Sequence, residues 1–376
     1  MLFSRFFIKL SFLLVTTSVF SADFTIELAN QDDMQACAKL FENDFAYQFA
    51  RHNRYVDLLR EHHNLADIAG QHQSNSLIPH NTNAALNALQ EILESRSAAP
   101  IILVARTQGT KQVISTCFCY LQEANHTVFI HKLLINPSCD NARVGKALVK
   151  KTLSMLKAKL DNPTQARKRV AAYALVDDPA VLNLYGKIGF QAGFFTMRAT
   201  PETLLANYPH QPRRQSGARA LDIRPATPHE LPALEEIYIQ NFKQHAALGQ
   251  ALYRDYPGYE DNDLRADIYK IKNLVCNMTA WDGDEAVGFC QGRLDKYNTL
   301  RIDWVMVKSN CQGRGIGGQL ITALVKHFMS AGMQLPPIHQ VALSVLANNA
   351  PAIKCYERLG FRKAVVSLFC EEENLP

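Results

Sequence analysis

No Gly-Lys-Ser/Thr triplet closes any glycine-rich stretch of this chain, so a P-loop phosphate site is excluded. No His-Glu-x-x-His helix and no Cys-x-x-Cys pair occur, which removes the common zinc-protease and zinc-ribbon patterns. Cysteine numbers nine, an odd count, and most of the nine lie in apolar runs. They read as small core residues, not as a dense disulfide framework. Cys117 and Cys119 sit on a predicted strand and are read as facing opposite sides. The net charge of +5 is mild and spread out, and no basic patch is interleaved with aromatics, so nucleic acid is not an expected partner. One basic run, Lys146, Lys150, Lys151, Lys157, Lys159, Arg167, Lys168 and Arg169, reads as a solvated helix face, with an anionic contact as the alternative. The longest apolar run near the N-terminus, Leu10 to Phe20, is too short to span a bilayer.

That run nevertheless has the layout of an export signal over residues 1–22. Arg5 and Lys9 precede it, and Val19-Phe20-Ser21-Ala22 offers a small-residue cleavage site. Export or secretion is therefore expected; an uncleaved anchor and a start codon ahead of a cytoplasmic protein are the alternatives. The 376 residues, 47% apolar and 20% charged, are comfortable for two globular domains, each with its own core.

The chain is organised around Val305 to Leu320. Ile302, Trp304 and Met306 alternate with Arg301, Asp303 and Val305, which predicts a strand with those three on one face. The sequence then turns polar and glycine-rich through Gln312-Gly313-Arg314-Gly315-Ile316-Gly317-Gly318. It continues as a helix with Leu320, Ile321, Leu324, Val325 and Phe328 at helical spacing. A strand thus feeds a bare-backbone loop into a helix N-terminus. The first N–H groups there lack internal partners and the dipole favours an anion. Dinucleotide folds use the same physics, but here the third glycine and the later acidic residue are not well placed.

A second segment follows. Leu343-Ser344-Val345 reads as a strand, Asn349 as a helix start, Gly360 as its stop and Phe361 as the return to strand. Together the two segments resemble the GNAT superfamily of N-acetyltransferases. Its phosphate motif, Gln/Arg-x-x-Gly-x-Gly/Ala, matches Gln312, Gly315 and Gly317. Its second motif matches Asn349, Ala352, Tyr356, Gly360 and Phe361.

The same layout occurs twice. Phe24–Leu28 followed by Gln31-Asp32-Asp33 parallels Leu221–Pro225 followed by Thr227–Leu231, and Tyr185–Phe190 parallels Tyr356–Phe361. The expected fold is α/β (α+β): two tandem GNAT-like domains, each a mixed, mostly antiparallel twisted sheet flanked by helices. The expected boundaries are signal 1–22, first domain 23–200, linker 201–220 and second domain 221–376. In the first repeat Asp140 stands where Gln312 does, Arg143 where Gly315 does, Asp178 for Asn349 and Val181 for Ala352. An aspartate repels a diphosphate and a side chain crowds the cradle, so this repeat is expected to bind acetyl-CoA weakly or not at all, unless Arg143 itself holds a phosphate. Each repeat also carries an insertion, Phe45 to about Ser97 with clustered histidines and Phe242 to Asn273, which the resemblance implies builds the acceptor side of the cleft.

The resemblance implies transfer of an acetyl group from acetyl-CoA, as cosubstrate, to a primary amine acceptor, small molecule or protein. Tyr356 is implied as the proton donor to the leaving sulfur. The backbone of Met306 and Val307 is implied to pair with the pantetheine arm. Gln312, Gly313, Arg314, Gly315, Ile316, Gly317 and Gly318 would hold the pyrophosphate, with Arg314 adding charge. Asn349 would contact the pantetheine arm, cap its helix, or both. An amine must lose a proton to attack, so a base is needed; Asp303 is the candidate, with Glu260 and Asp261 as alternatives, and His131 holds the corresponding place in the first repeat. No metal is expected. The alternative reading is a non-catalytic exported binding or effector protein that retains the fold.

Overall fold

The computed structural model describes residues 23–40, 101–122, 127–136, 139, 141–157, 169–208, 220–248, 275–295, 297–330 and 337–371. The expectations for residues 1–22, for the histidine-rich insertion, for Asp140 and for Glu260 and Asp261 lie outside them, as does the side chain of His131. Among the described residues no helix is long and apolar enough to cross a membrane. The chain forms two compact units, residues Met1–Gln191 with Leu368–Pro376, and residues Ala192–Ser367.

The first unit contains β1 (Phe24–Leu28), β2 (Ile101–Thr107), β3 (Val113–Gln122), β4 (Thr127–Ile135), helix α1 (Asn141–Lys157), β5 (Arg169–Leu175) and helix α2 (Pro179–Ile188). Its strands lie in the order β1-β2-β3-β4-β5. The first three pairings are antiparallel and β4–β5 is parallel. Cys117 and Cys119 both place their Sγ 3.7 Å from Thr152 Oγ1 on α1. They share a face, contrary to expectation, because residues two apart on a strand point the same way. All nine cysteines are free thiols.

The second unit begins with β6 (Gln191–Ala199, its first residue falling in the other unit) and helix α3 (Pro201–Asn207). It continues with β7 (Asp222–Pro225), helix α4 (Leu231–Leu248), β8 (Val275–Asp282), β9 (Glu285–Leu294), β10 (Thr299–Val307), helix α5 (Ile316–Ser330), β11 (Gln340–Leu346), helix α6 (Ala350–Leu359) and β12 (Arg362–Glu371, to Ser367 in this unit). The strand order is β6-β11-β10-β9-β8-β7. Two findings depart from the expected boundaries. β6 clusters with the second unit because it pairs antiparallel along β11, from Val341↔Ala199 to Leu346↔Phe194. Helix α3 occupies the start of the stretch read as linker. Thr200 caps it by accepting the Thr203 N–H at 3.2 Å, and Pro201 stands at its first turn.

Central strand β9 is buried along nearly its whole length because helices cover both faces. On one face Leu320, Ile321, Leu324 and Val325 of α5 pack with Val287, Cys290, Leu300 and Ile302. On the other, Leu234, Ile237, Tyr238 and Phe242 of α4 pack with Phe289 and Met306. Helix α4 runs through Phe242 and His245 to Leu248, so the second insertion begins later than the sequence implied.

Candidate active site

Strand β10 changes faces halfway along. Its pairing with β9 slips between Ile302 and Trp304, leaving Asp303 as the extra residue of a bulge. Ile302 therefore joins the α5-side core, while Trp304 and Met306 pack on the α4 side. The simple alternation expected for Ile302, Trp304 and Met306 fails at this point. β10 pairs with β11 only from Thr299 to Ile302, so beyond the bulge its β11-facing backbone edge is not laddered to β11.

Alternation identifies the groups on that edge. The Lys308 N–H bonds the Val287 carbonyl at 2.9 Å, toward β9. One residue earlier the backbone of Val307 points the other way, that of Met306 points back to β9, and that of Val305 faces the opening. A Cβ on Gly288 of β9 would lie 2.8 Å from the Met306 oxygen, in line with this. The backbone pair available to a ligand is thus Val305 with Val307, and Met306 drops out of the expected set.

After Val307 a single 3₁₀ turn, Ser309–Cys311, leads into the loop. Gly313 and Gly315 adopt φ of +77° and +78°, a region L side chains avoid. Cβ atoms added there would meet nothing within 4 Å at Gly313 and only the Tyr208 hydroxyl, at 4.0 Å, at Gly315. The Gly315 carbonyl accepts the Gln319 N–H at 3.2 Å, which makes Gly315 the residue that opens α5. The next three N–H groups, of Ile316, Gly317 and Gly318, belong to the first turn and have no intrahelical acceptor. The loop is an uncrowded run of backbone donors, a cradle, at a positive helix end. It fits a diphosphate.

Gln312 and Arg314 do less than expected. Gln312 Nε2 donates to the Val307 carbonyl at 3.1 Å and to Asn241 Oδ1 at 3.5 Å, tying the loop to its own strand and to α4. Arg314 Nη2 donates to Asp282 Oδ2 at 3.2 Å, in the β8–β9 hairpin, and its guanidinium is held by that carboxylate and not over the cradle. Asn349 caps α6, its Oδ1 accepting the Ala352 N–H at 3.2 Å, which leaves its amide N–H₂ group for another partner.

Tyr356 lies on α6, half-buried, with its ring 5.9 Å from that of Phe361. Burial, then nearby Cys355 and Cys290, holds its hydroxyl well above the ordinary phenol value, so it stays protonated at neutral pH. Asp303 projects from the bulge to Arg293, whose Nε donates at 3.0 Å.

Two features were missed in sequence reading. The C-terminal part of α4 bridges both sides of the strand opening. Gln244 Nε2 donates to Ser309 Oγ at 2.9 Å beyond β10, and Asn348 Nδ2 donates to the Leu248 carbonyl at 2.7 Å beyond β11. His245 lies between these anchors, its ring 6.4 Å from that of Trp304, and burial lowers its pKa. Tyr208, at the end of α3, lies against α5. Thr200 followed by Pro201 is a capping pattern that could have signalled α3, but no local pattern signals where it docks.

In the first unit the equivalent place is differently occupied. Arg143 pairs with Asp23 at 3.5 Å and lies 5.2 Å from the Phe24 ring centroid. A Cβ on Gly145 would meet Ile188 Cδ1 at 2.7 Å.

The family model "Acetyltransferase (GNAT) family" matches residues 234–361. Mycothiol acetyltransferase of Corynebacterium glutamicum is 34% identical over 100 residues, covering 27% of this chain and 32% of that protein. The Corynebacterium efficiens protein of the same name is 33% identical over 84 residues, covering 22% and 27%. The chain thus spans about a third of the length of the curated relatives it matches. Among solved structures, a GCN5-related N-acetyltransferase from Sphaerobacter thermophilus aligns with a TM-score of 0.44 at 15% identity, covering 95% of this chain and 98% of that one. A tandem GNAT protein from the clavulanic acid biosynthesis pathway aligns with a TM-score of 0.40 at 14% identity, covering 94% and 99%. Through residues 234–361, which hold the opened strand, the glycine cradle and the capped Tyr356 helix, the chain carries a domain of the GNAT acetyltransferase family.

Proposed function

We propose that the second unit transfers an acetyl group from acetyl-CoA to a primary amine. The observation that carries this reading is the cradle: two consecutive glycine turns of positive φ, open space around them, and the free N–H groups of α5. The N–H groups of Ile316, Gly317 and Gly318 hold the diphosphate. The backbone edge of Val305 and Val307 pairs with the amides of the pantetheine arm as an added strand does. For Val307 this requires Gln312 Nε2 to release or share the carbonyl it occupies. A fixed N–H of that edge stabilises the thioester oxygen as it gains charge. The Tyr356 phenol, kept protonated by burial, gives its proton to the departing sulfur. Asp303, which accepts from Arg293 Nε, attracts the ammonium form of the acceptor and takes its proton directly or through water.

The first unit does not share this role. Arg143, standing where Gly315 does, is engaged by Asp23 and Phe24, which supports a structural part for that half. Export through residues 1–22 is part of the proposal only if the mature protein begins near Ala22 or Asp23, which N-terminal sequencing decides.

Calorimetric titration of acetyl-CoA into the wild type and Gly315→Glu tests the site. Heat from the wild type that is lost in the variant supports it; no heat from the wild type ends the reading. A screen of amines that follows free-thiol release then identifies the acceptor. Binding without turnover across amines, peptides and aminoglycosides favours a non-catalytic binding protein instead.

A further inference from the structure

We propose that Tyr208, which lies outside the family-matching residues 234–361, is part of the diphosphate site of the second unit, its hydroxyl donating to a phosphate oxygen at the rim of the glycine cradle. The proposal rests on the acetyl-CoA reading above.

The geometry is as follows. Tyr208 ends α3, its N–H bonded to the Leu204 carbonyl at 3.3 Å. Its ring lies along the first turn of α5. A Cβ on Gly318 would be 3.0 Å from Tyr208 Cε2 and 3.5 Å from Cδ2, and one on Gly315 would be 4.0 Å from the hydroxyl. Three residues of helix rise about 4.5 Å, so the phenol points along α5 toward its N-terminal end and delivers its oxygen there. A methyl at Gly318 would press on Tyr208 and, at 3.3 Å, on Leu359 of α6. Among the described residues no hydrogen bond of the Tyr208 hydroxyl occurs. Burial, then Cys355, raises its pKa, so it is a proton donor at neutral pH.

Helix α3 is held in place by the unit itself. β6, which leads into it, is laddered to β11, and α3 packs on the end of α6. A Cβ on Gly360 would meet Thr203 Cγ2 and Asn207 Nδ2 at 2.5 Å each. Tyr208 is therefore presented to the cradle by a packed element.

The test compares full-length wild type with Tyr208→Phe, which keeps the ring and removes only the hydroxyl. Each is titrated with acetyl-CoA and with S-acetylpantetheine, which lacks the diphosphate. A hydrogen bond to a charged group predicts about a tenfold loss of acetyl-CoA affinity in the variant and unchanged S-acetylpantetheine affinity. Unchanged acetyl-CoA affinity, or equal loss for both ligands, overturns the proposal while leaving the acetyl-CoA site standing. A wild type that binds no acetyl-CoA removes both. Thermal melting of the two proteins shows whether the phenylalanine variant has kept the packing on Gly318.

Discussion

Gly313 and Gly315 allow strain and recognition to be separated. Both hold φ near +78°, and neither is crowded: nothing lies within 4 Å of a Cβ at Gly313, and only the Tyr208 hydroxyl reaches 4.0 Å at Gly315. Alanine in this region costs about 1–2 kcal/mol of backbone energy. The unfolded chain loses entropy on the same change, which offsets about 0.4–1 kcal/mol. The net cost is about 1 kcal/mol at either site, or roughly 2–4 °C in Tm for a domain of this size. Stability should therefore not distinguish Gly313→Ala from Gly315→Ala. Binding should. The methyl at 315 enters the space between the first N–H groups of α5 and the Tyr208 hydroxyl, where a phosphate oxygen must sit. The methyl at 313, on the preceding turn, faces open solvent. Gly315→Ala should weaken acetyl-CoA by at least about tenfold, near 1.4 kcal/mol, and Gly313→Ala by less than about threefold. The assays are differential scanning calorimetry and titration calorimetry on the same preparations. Equal loss of affinity in both variants, or none in Gly315→Ala, would refute the assignment of the diphosphate to this cradle.

Tyr356→Phe should lower kcat by about 10²–10⁴-fold with little change in acetyl-CoA affinity, because the phenol acts on the leaving sulfur and not on the bound nucleotide; a rate within threefold of wild type would reassign the proton donor. Asp303→Asn should raise the acceptor KM and reduce kcat while leaving acetyl-CoA titrations unchanged, since its partner Arg293 is on β9 and away from the cradle. Glu230 accepts two hydrogen bonds from Arg224, at 2.6 and 3.0 Å, and one from the Thr227 N–H, and the guanidinium holds its pKa down to about 2 from an ordinary 4.5. A lowered folded pKa means the stabilisation is complete above pH 4.5 and is lost as pH falls toward 2. The melting temperature of wild type should therefore fall more steeply through that window than that of Glu230→Gln, and parallel slopes would show that the pair contributes nothing.

The resemblance was legible because its signals are local. Glycine at a positive φ, asparagine at a helix start, and helical spacing from Leu320 to Phe328 each declare a conformation within a few residues. The two-repeat layout followed from the same signals occurring twice. Those local rules pointed to the glycine-rich loop and to Asn349 as a helix start, while Tyr356 entered only through the resemblance. They could not say which way β10 faces, because a bulge depends on how β9 pairs with it. The slip at Asp303 moved Trp304 to the α4 side and replaced Met306 with Val305 on the open edge. Nor could they place Arg314, whose charge is taken up by Asp282, 32 positions away.

What the amino-acid order determined by itself is a local layout: a glycine-rich loop at a helix start, followed by an asparagine-capped helix carrying a tyrosine. What the tertiary structure alone decided is who completes it. Residues 192–208 read as the tail of the first repeat and a linker, yet β6 is laddered to β11 and Tyr208 lies on Gly318. Strand partners and helix docking are set by contacts far apart in sequence, and a pattern read over a few residues carries no term for them.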